Sequence, residues 1–304
     1  MKYETFERVV VAKVKKIVGR SGKVQLQNVR KLNNIVRRGI YIERDGHTLS
    51  PTIYLDKFYE MLKGGKDIDF IIQRILEVYV GALPKSKVDM QFFKDFEQVK
   101  HQIVYRLINR ERNKDILADI PHVDYLNLAI CFYYICQHPE AREGAILIHN
   151  SHLEMWNIGA EMLMPLANSN TPQLFPAHLC TVSEALVEMG EPLSEEQLKE
   201  IQQLQRDKGV YMYELSNSKR SYGAAAILYP GILADAAKRM GGNFHVIPSS
   251  IHETLLLYDE GKRDSADLNM LIEEINRSRL DNDSVLSDYA YLYDVSLGRL
   301  IEMH

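Results

Sequence analysis

The chain is poor in cysteine, has one tryptophan, and contains no long apolar run. Three cysteines in 304 residues exclude a disulfide-dense secreted scaffold and fit a reducing compartment. Cys131 and Cys136 lie inside an apolar run, where they read as small buried hydrophobes rather than a zinc knuckle. The longest uncharged apolar runs, around residues 126–136 and 222–234, fall short of the roughly 20 residues that span a bilayer. Acidic Glu4 and Glu7 interrupt the N-terminal residues, so no signal peptide is expected there. A cytoplasmic protein with no membrane partner is the expectation.

Several signatures are also missing. There is no Walker or Rossmann glycine loop, and Gly64-Gly65 and Gly241-Gly242 read as helix stops. No Gly-x-Ser-x-Gly elbow occurs. His252-Glu253 lacks the second histidine of a zincin motif. No cofactor and no metal is expected, and no low-complexity tract marks a linker.

What is present is ordinary core material, 46% hydrophobic and 26% charged, with an uneven placement of charge. Residues 1–40 hold eleven Lys/Arg against two acids, while the chain as a whole carries -4. Residues 259–294 hold ten acids against four bases. This polarity points to an acidic partner for the N-terminal segment.

The periodicities predict an α+β protein in two domains, 1–119 and 120–304. Tyr3, Phe6, Val10, Val14 and Ile17 recur at helical spacing. Residues 24–29 and 35–43 alternate as strands around Asn33-Asn34. Ser50-Pro51 reads as a helix start and Asp67 as the cap of another. Phe92 to about Asn109 reads as one long helix with Asn113 at its C-terminal cap, and Asp119-Ile-Pro121 as the domain boundary. Beyond it, residues 126–136 read as a central strand of an antiparallel or mixed sheet. Ser151-x-x-Glu154 has capping-box spacing and opens a helix to about Ala167. Ser194-x-x-Gln197 does the same for a polar helix. Gly144-Ala-Ile-Leu-Ile148 and Gly223-Ala-Ala-Ala-Ile-Leu228 are alike and suggest a β-β-α repeat.

Five stretches carry a resemblance. They are Leu49-Ser-Pro-Thr-Ile-Tyr-Leu55, Arg106-Leu-Ile-Asn109 with Asn113, Leu215-Ser-Asn217 with Tyr222-Gly-Ala224, Ile247-Pro-Ser-Ser-Ile-His-Glu253, and Leu286-Ser-Asp288. Together they resemble a bacterial domain-of-unknown-function family of gut Gram-positive anaerobes, over nearly the whole chain. The resemblance implies a bacterial, cytoplasmic protein in which Pro248–Glu253 is a hallmark. It implies no activity and transfers no catalytic residue.

Pro248-Ser-Ser-Ile-His-Glu253 holds the side chains of nucleophilic catalysis: Ser249 or Ser250 as nucleophile, His252 as base. Serine and histidine so close in sequence rarely face each other. The plainer reading pairs Ser250 with Glu253 as a capping box opening a short helical turn. If the repeat holds, His149, His152 and Asn217 join this strand end on one ligand rim. The basic segment comprises Lys13, Lys15, Lys16, Arg20, Lys23, Arg30, Lys31, Arg37 and Arg38. It would contact an acidic protein surface or, less well, nucleic acid, since no helix-turn-helix, zinc finger or RNP pattern accompanies it. Three functions stand in order. The first is a non-enzymatic binding or regulatory module engaging an acidic partner. The second is a small hydrolase-type enzyme at Ser249/His252. The third is nucleic-acid binding.

Overall fold

The computed structural model describes the chain except residues 20–21, 45–49, 84–89, 137–143, 189, 191–193, 195–198, 200–211, 260, 262–264, 279–280 and 304. The polar helix expected after Ser194 falls largely outside the described residues. The chain divides into two compact units, residues 1–98 with 135–145 and residues 99–134 with 146–304. The Asp119-Ile-Pro121 corner lies inside the second. The architecture is α+β with antiparallel sheets. No described helix is long and apolar enough to cross a membrane.

The first unit opens with α1 (Tyr3–Val18), which buries Phe6, Val10, Val14 and Val18. Ile17, expected on that face, is 59% exposed. A strict spacing of four favours Val18, and Gly19 at φ 65 then ends the helix. Strands β1 (Gly22–Arg30) and β2 (Val36–Arg44) form the expected hairpin, in register from Gly22↔Arg44 to Arg30↔Val36. Asn33 and Asn34 turn it at φ 58, a conformation asparagine tolerates.

Residues 52–54 correct one expectation. Ser50-Pro51 opens no helix. Thr52–Tyr54 is β3, paired with β2, because Ile53 is drawn into the core and Gly39 leaves room beside Thr52. Helix α2 (Asp56–Lys63) follows. Helix α3 (Ile68–Ala82) starts where Asp67 accepts the Asp69 N–H at 2.9 Å. Its Ile71, Ile72, Ile75 and Tyr79 pack with α1 and the buried sheet residues Ile40 and Ile42. Thirteen fully or nearly buried side chains make this core, so the three-stranded sheet is stabilised by the helices over one face.

The long helix expected up to Asn109 is not there. Short turns, with α4 (Phe96–Val99) among them, lead into strand β4 (Ile103–Asn109). Every residue of β4 except Arg106 is buried. A continuous apolar run fits a doubly covered strand as well as a helix, and burial on both faces decides for the strand. Helix α5 (Lys114–Leu117) and strand β5 (His122–Tyr125) follow. Strand β6 (Leu128–Cys136) is central, as its apolar run predicts, and pairs with β4, β5 and β7 (Gly144–Leu147).

Helix α6 (Asn150–Trp156) stops at left-handed Asn157, well short of Ala167. Helix α7 (Leu163–Leu174) covers the free edge of β4. Thr171 Oγ1 accepts the Tyr105 N–H at 3.1 Å, and Asn170 Nδ2 donates to the Lys100 and Ile103 carbonyls. The second sheet contains β8 (Ala177–Thr181), β9 (Met212–Asn217), β10 (Phe244–Ile247), β11 (Thr254–Tyr258), β12 (Tyr291–Asp294) and β13 (Arg299–Glu302). Their order is β13-β12-β10-β11-β9-β8, antiparallel throughout. Helices α8 (Val182–Glu188), α9 (Ile232–Met240) and α10 (Ser265–Ser278) complete the described elements. Gly223–Leu228, expected as a strand, is a buried 3-10 helix. Its alanines are small enough for that tight coil to pack against β9. The β-β-α repeat loses its second strand, and with it the reason to place His149 and His252 on one rim.

Candidate functional site

Pro248–Glu253 is the loop joining β10 to β11. Ser250 Oγ donates to Glu253 Oε1 at 2.7 Å and accepts the His252 N–H at 2.9 Å. Ser249 Oγ donates to the same carboxylate oxygen at 3.1 Å. The Ser250 N–H donates to the Glu253 carbonyl at 3.2 Å. Ser250 and Glu253 do meet, but side chain to side chain and not through the reciprocal backbone N–H bonds of the expected capping box, and no helical turn follows. Thr254 starts a strand at once, because Thr-Leu-Leu-Leu-Tyr finds partners on both sides. Both serine protons go to a carboxylate, and neither serine meets the His252 imidazole. The arrangement contains no nucleophile–base pair.

His252 is held from the other side. Its Nδ1 accepts the Tyr222 N–H at 3.2 Å, and its carbonyl accepts Ser216 Oγ at 2.8 Å. That places the proton of the neutral ring on Nε2. Tyr222 sits at φ 53 and Arg220 at φ 48. Asn217 builds the turn between them: Oδ1 accepts the Lys219 and Ser221 N–H groups, and Nδ2 donates to the Ser221 carbonyl. Gly223 then passes so close that an added Cβ would stand 2.6 Å from the His252 carbonyl and 2.6 Å from the Asn217 nitrogen. Arg106 of β4 lies between two rings, 3.7 Å from Tyr222 and 4.3 Å from Tyr133. Tertiary structure thus brings together Arg106, Ser216-Asn217, Tyr222-Gly223 and Pro248–Glu253, which are far apart in sequence.

A second cluster gathers the other stretches. Asn109 Nδ2 donates to the Leu286 carbonyl at 3.1 Å, and Asn113 Nδ2 to the Asn109 carbonyl at 2.7 Å. Asn113 is therefore a buried brace ahead of α5, not the cap of a long helix. Arg112 grips Asp288 with bonds of 2.9 and 2.8 Å. Beside that pair lies a polar cavity of about 400 Å³, also lined by Glu273, Asn276 and Arg277.

His149 and His152 lie elsewhere in the second unit. Helix α6 starts at Asn150, so Ser151 is no cap. The capping role falls to His152, whose Nδ1 accepts the His149 N–H at 3.0 Å. His149 Nδ1 lies 2.7 Å from Asp119. Burial and the neighbouring His149 ring depress the pKa of His152. His149 and His152 meet Asp119, Trp156 and each other, whereas His252 meets Tyr222, Ser216 and Ser250.

The basic segment is partly neutralised within the first unit. Lys13 pairs with Asp69 at 2.5 Å and Arg37 with Asp56 at 3.8 Å. Arg38 binds Glu7 at 2.8 Å and Asn28 at 2.9 Å. Lys31 lies over the Tyr54 ring at 4.4 Å. Lys15, Lys16, Lys23 and Arg30 are exposed, and Arg20 lies outside the described residues. An apolar groove of about 710 Å³ runs between Ile17, Ile72, Leu76 and Val80.

One cluster escaped the reading of the sequence. His178 and Cys180 share a face of β8, and Glu188 ends α8 opposite them. Cys180 Sγ is 3.6 Å from His178 Nδ1, and His178 Nε2 is 3.4 Å from Glu188 Oε2. Arg220 binds both Glu188, at 2.7 Å, and the buried Glu214. Burial, and then Glu214 and Glu188, push the Cys180 thiol above its usual pKa. The spacing of His178 and Cys180 was visible; the arrival of Glu188 and Arg220 was not.

A model of family DUF5688, described as a family of unknown function, matches residues 3–295. No curated protein and no solved structure matches the chain.

Proposed function

The chain belongs to this family of unknown function, so its role must be read from geometry, and we propose that it is a non-enzymatic binding module for an acidic, amphipathic protein segment. The carrying observation is the groove of the first unit. Ile17 and Val80 are 59% and 62% exposed beside it, and the exposed Lys15 and Lys16 precede Ile17 on α1. The groove's own acids already have cations: Asp69 has Lys13, and Glu77 has Arg74 at 2.6 Å. Apolar side chains of a partner helix would enter the groove while its acids meet Lys15 and Lys16.

The alternatives fit less well. A hydrolase at Ser249/His252 lacks the hydrogen bond that would activate the serine. Single-stranded nucleic acid wants open aromatic faces, and Lys31 already lies on Tyr54.

Fluorescence polarisation tests the reading. The probes are a labelled helical peptide with leucines at spacings of three and four among glutamates, its Leu→Ser counterpart, and an oligothymidylate. The leucine peptide should bind best, and Lys15→Glu/Lys16→Glu should weaken it by about tenfold or more. Equal binding of both peptides, or indifference to the charge reversal, would overturn the proposal. Preference for the oligonucleotide would do so too.

A further inference from the structure

We infer that His178, Cys180 and Glu188 form a binding site for one divalent transition-metal ion of the zinc type. Among the described residues this is the one group of three such side chains whose donor atoms all lie within 4.8 Å of one another. Imidazole nitrogen, thiolate sulfur and carboxylate oxygen are the donor set of zinc, and three protein ligands leave a fourth position open.

The distances need little adjustment. With metal bonds of about 2.0 to 2.3 Å, donors around one tetrahedral ion stand roughly 3.3 to 3.8 Å apart. The Cys180–His178 and His178–Glu188 separations are 3.6 and 3.4 Å. They use different ring nitrogens, so the imidazole must turn until one nitrogen serves the ion. Glu188 closes the remaining gap from the exposed end of α8, where its side chain is 48% exposed.

Charge supports a divalent ion. On binding, Cys180 gives up its proton to solvent and becomes a thiolate. With Glu188, Glu214 and the neighbouring Glu184 that makes four negative charges, against the single guanidinium of Arg220. Three negative charges are left, an excess that favours a dication over a neutral or anionic ligand. Arg220 holds the Glu188 carboxylate and Glu214 together, which is the work of an outer-shell partner that orients a ligand. Its left-handed backbone, φ 48, is a strain that the arrangement maintains. Position adds to this. β8 is the last strand of its sheet order, so the ligands sit at an edge.

Cobalt(II) titration of the full-length protein, stripped with chelator and kept reduced, is the test. One equivalent should produce a near-ultraviolet thiolate-to-cobalt band and tetrahedral visible bands, both displaced by zinc. Cys180→Ala should abolish the charge-transfer band, and Cys131→Ala should keep it. Glu188→Gln, at an exposed position that folding tolerates, should weaken binding by more than about tenfold. Absence of the band in the wild type overturns the inference. So does its persistence in Cys180→Ala, or unchanged affinity in Glu188→Gln.

Discussion

Nδ1 of His252 accepts the backbone N–H of Tyr222 at 3.2 Å, across thirty residues of sequence. That bond uses the ring atom a serine would need and holds Tyr222 in its left-handed conformation. His252→Ala should destabilise the protein by about 1–2 kcal/mol, the magnitude of an orphaned, partly buried N–H, read from urea unfolding midpoints. A fluorophosphonate serine probe should label the wild type and Ser249→Ala equally weakly. Labelling that depends on Ser249 or Ser250 would restore the hydrolase reading.

Gly223 has no room for a side chain. A Cβ there meets the His252 carbonyl and the Asn217 nitrogen, both backbone atoms that cannot rotate away. Gly223→Ala should cost about 3 kcal/mol, the upper range for overpacking, or leave the protein insoluble. A thermal midpoint within a degree or so of the wild type, about 0.3 kcal/mol for a domain of this size, would contradict the close approach.

Glu7 is buried and Arg38 is its cation: their side chains are 5% and 41% exposed. Removing the arginine strands a buried carboxylate, so Arg38→Met should cost about 2–3 kcal/mol. Glu7→Gln leaves no stranded charge and should cost less, about 1 kcal/mol. The double variant should fall well short of the sum. An additive cycle would show that the pair does not interact.

The second unit should weaken in alkali. Burial pushes the Cys131 thiol from 9.0 up to about 12, and also raises Tyr105, Tyr133, Tyr229 and Tyr291. Below pH 9.0 both states keep the Cys131 proton, so its contribution to stability is complete. Between pH 9.0 and about 12 the unfolded chain releases the proton and the folded chain retains it, so stability falls as pH rises. The urea midpoint should drop between about pH 8 and pH 10.5. Native Cys131 should resist a thiol reagent that modifies it readily once the chain unfolds. A flat midpoint with a reactive native Cys131 would refute this.

Legibility varied with the kind of signal. The β1–β2 hairpin, the Asp67 cap and the central strand β6 were all readable, because each rests on residues near one another in the chain. The strand β4 was misread as helix because Ile103-Val-Tyr-Arg-Leu-Ile satisfies both periods, and only its burial on two faces separates them. Gly223–Leu228 was misread as a strand, since an alanine-rich run carries little β-preference of its own and takes the form its neighbours allow. The serine–histidine kit looked chemical because sequence shows which side chains are close along the chain, not where their hydrogens go.

By itself the sequence determined the class of the protein: mixed α+β, without a disulfide frame, with a basic start and an acidic end, and with a recognisable family. Those properties are sums over residues or short-range periodicities, and folding does not alter them. Only tertiary structure decided that Glu253 takes both serine protons, that Tyr222 occupies His252, and that Lys13, Arg37 and Arg38 are neutralised at home. It alone brought Glu188 and Arg220 to His178 and Cys180. Hydrogen bonds and ion pairs act over about 3 to 4 Å, and contacts so short between distant residues exist only once the sheets and helices have packed.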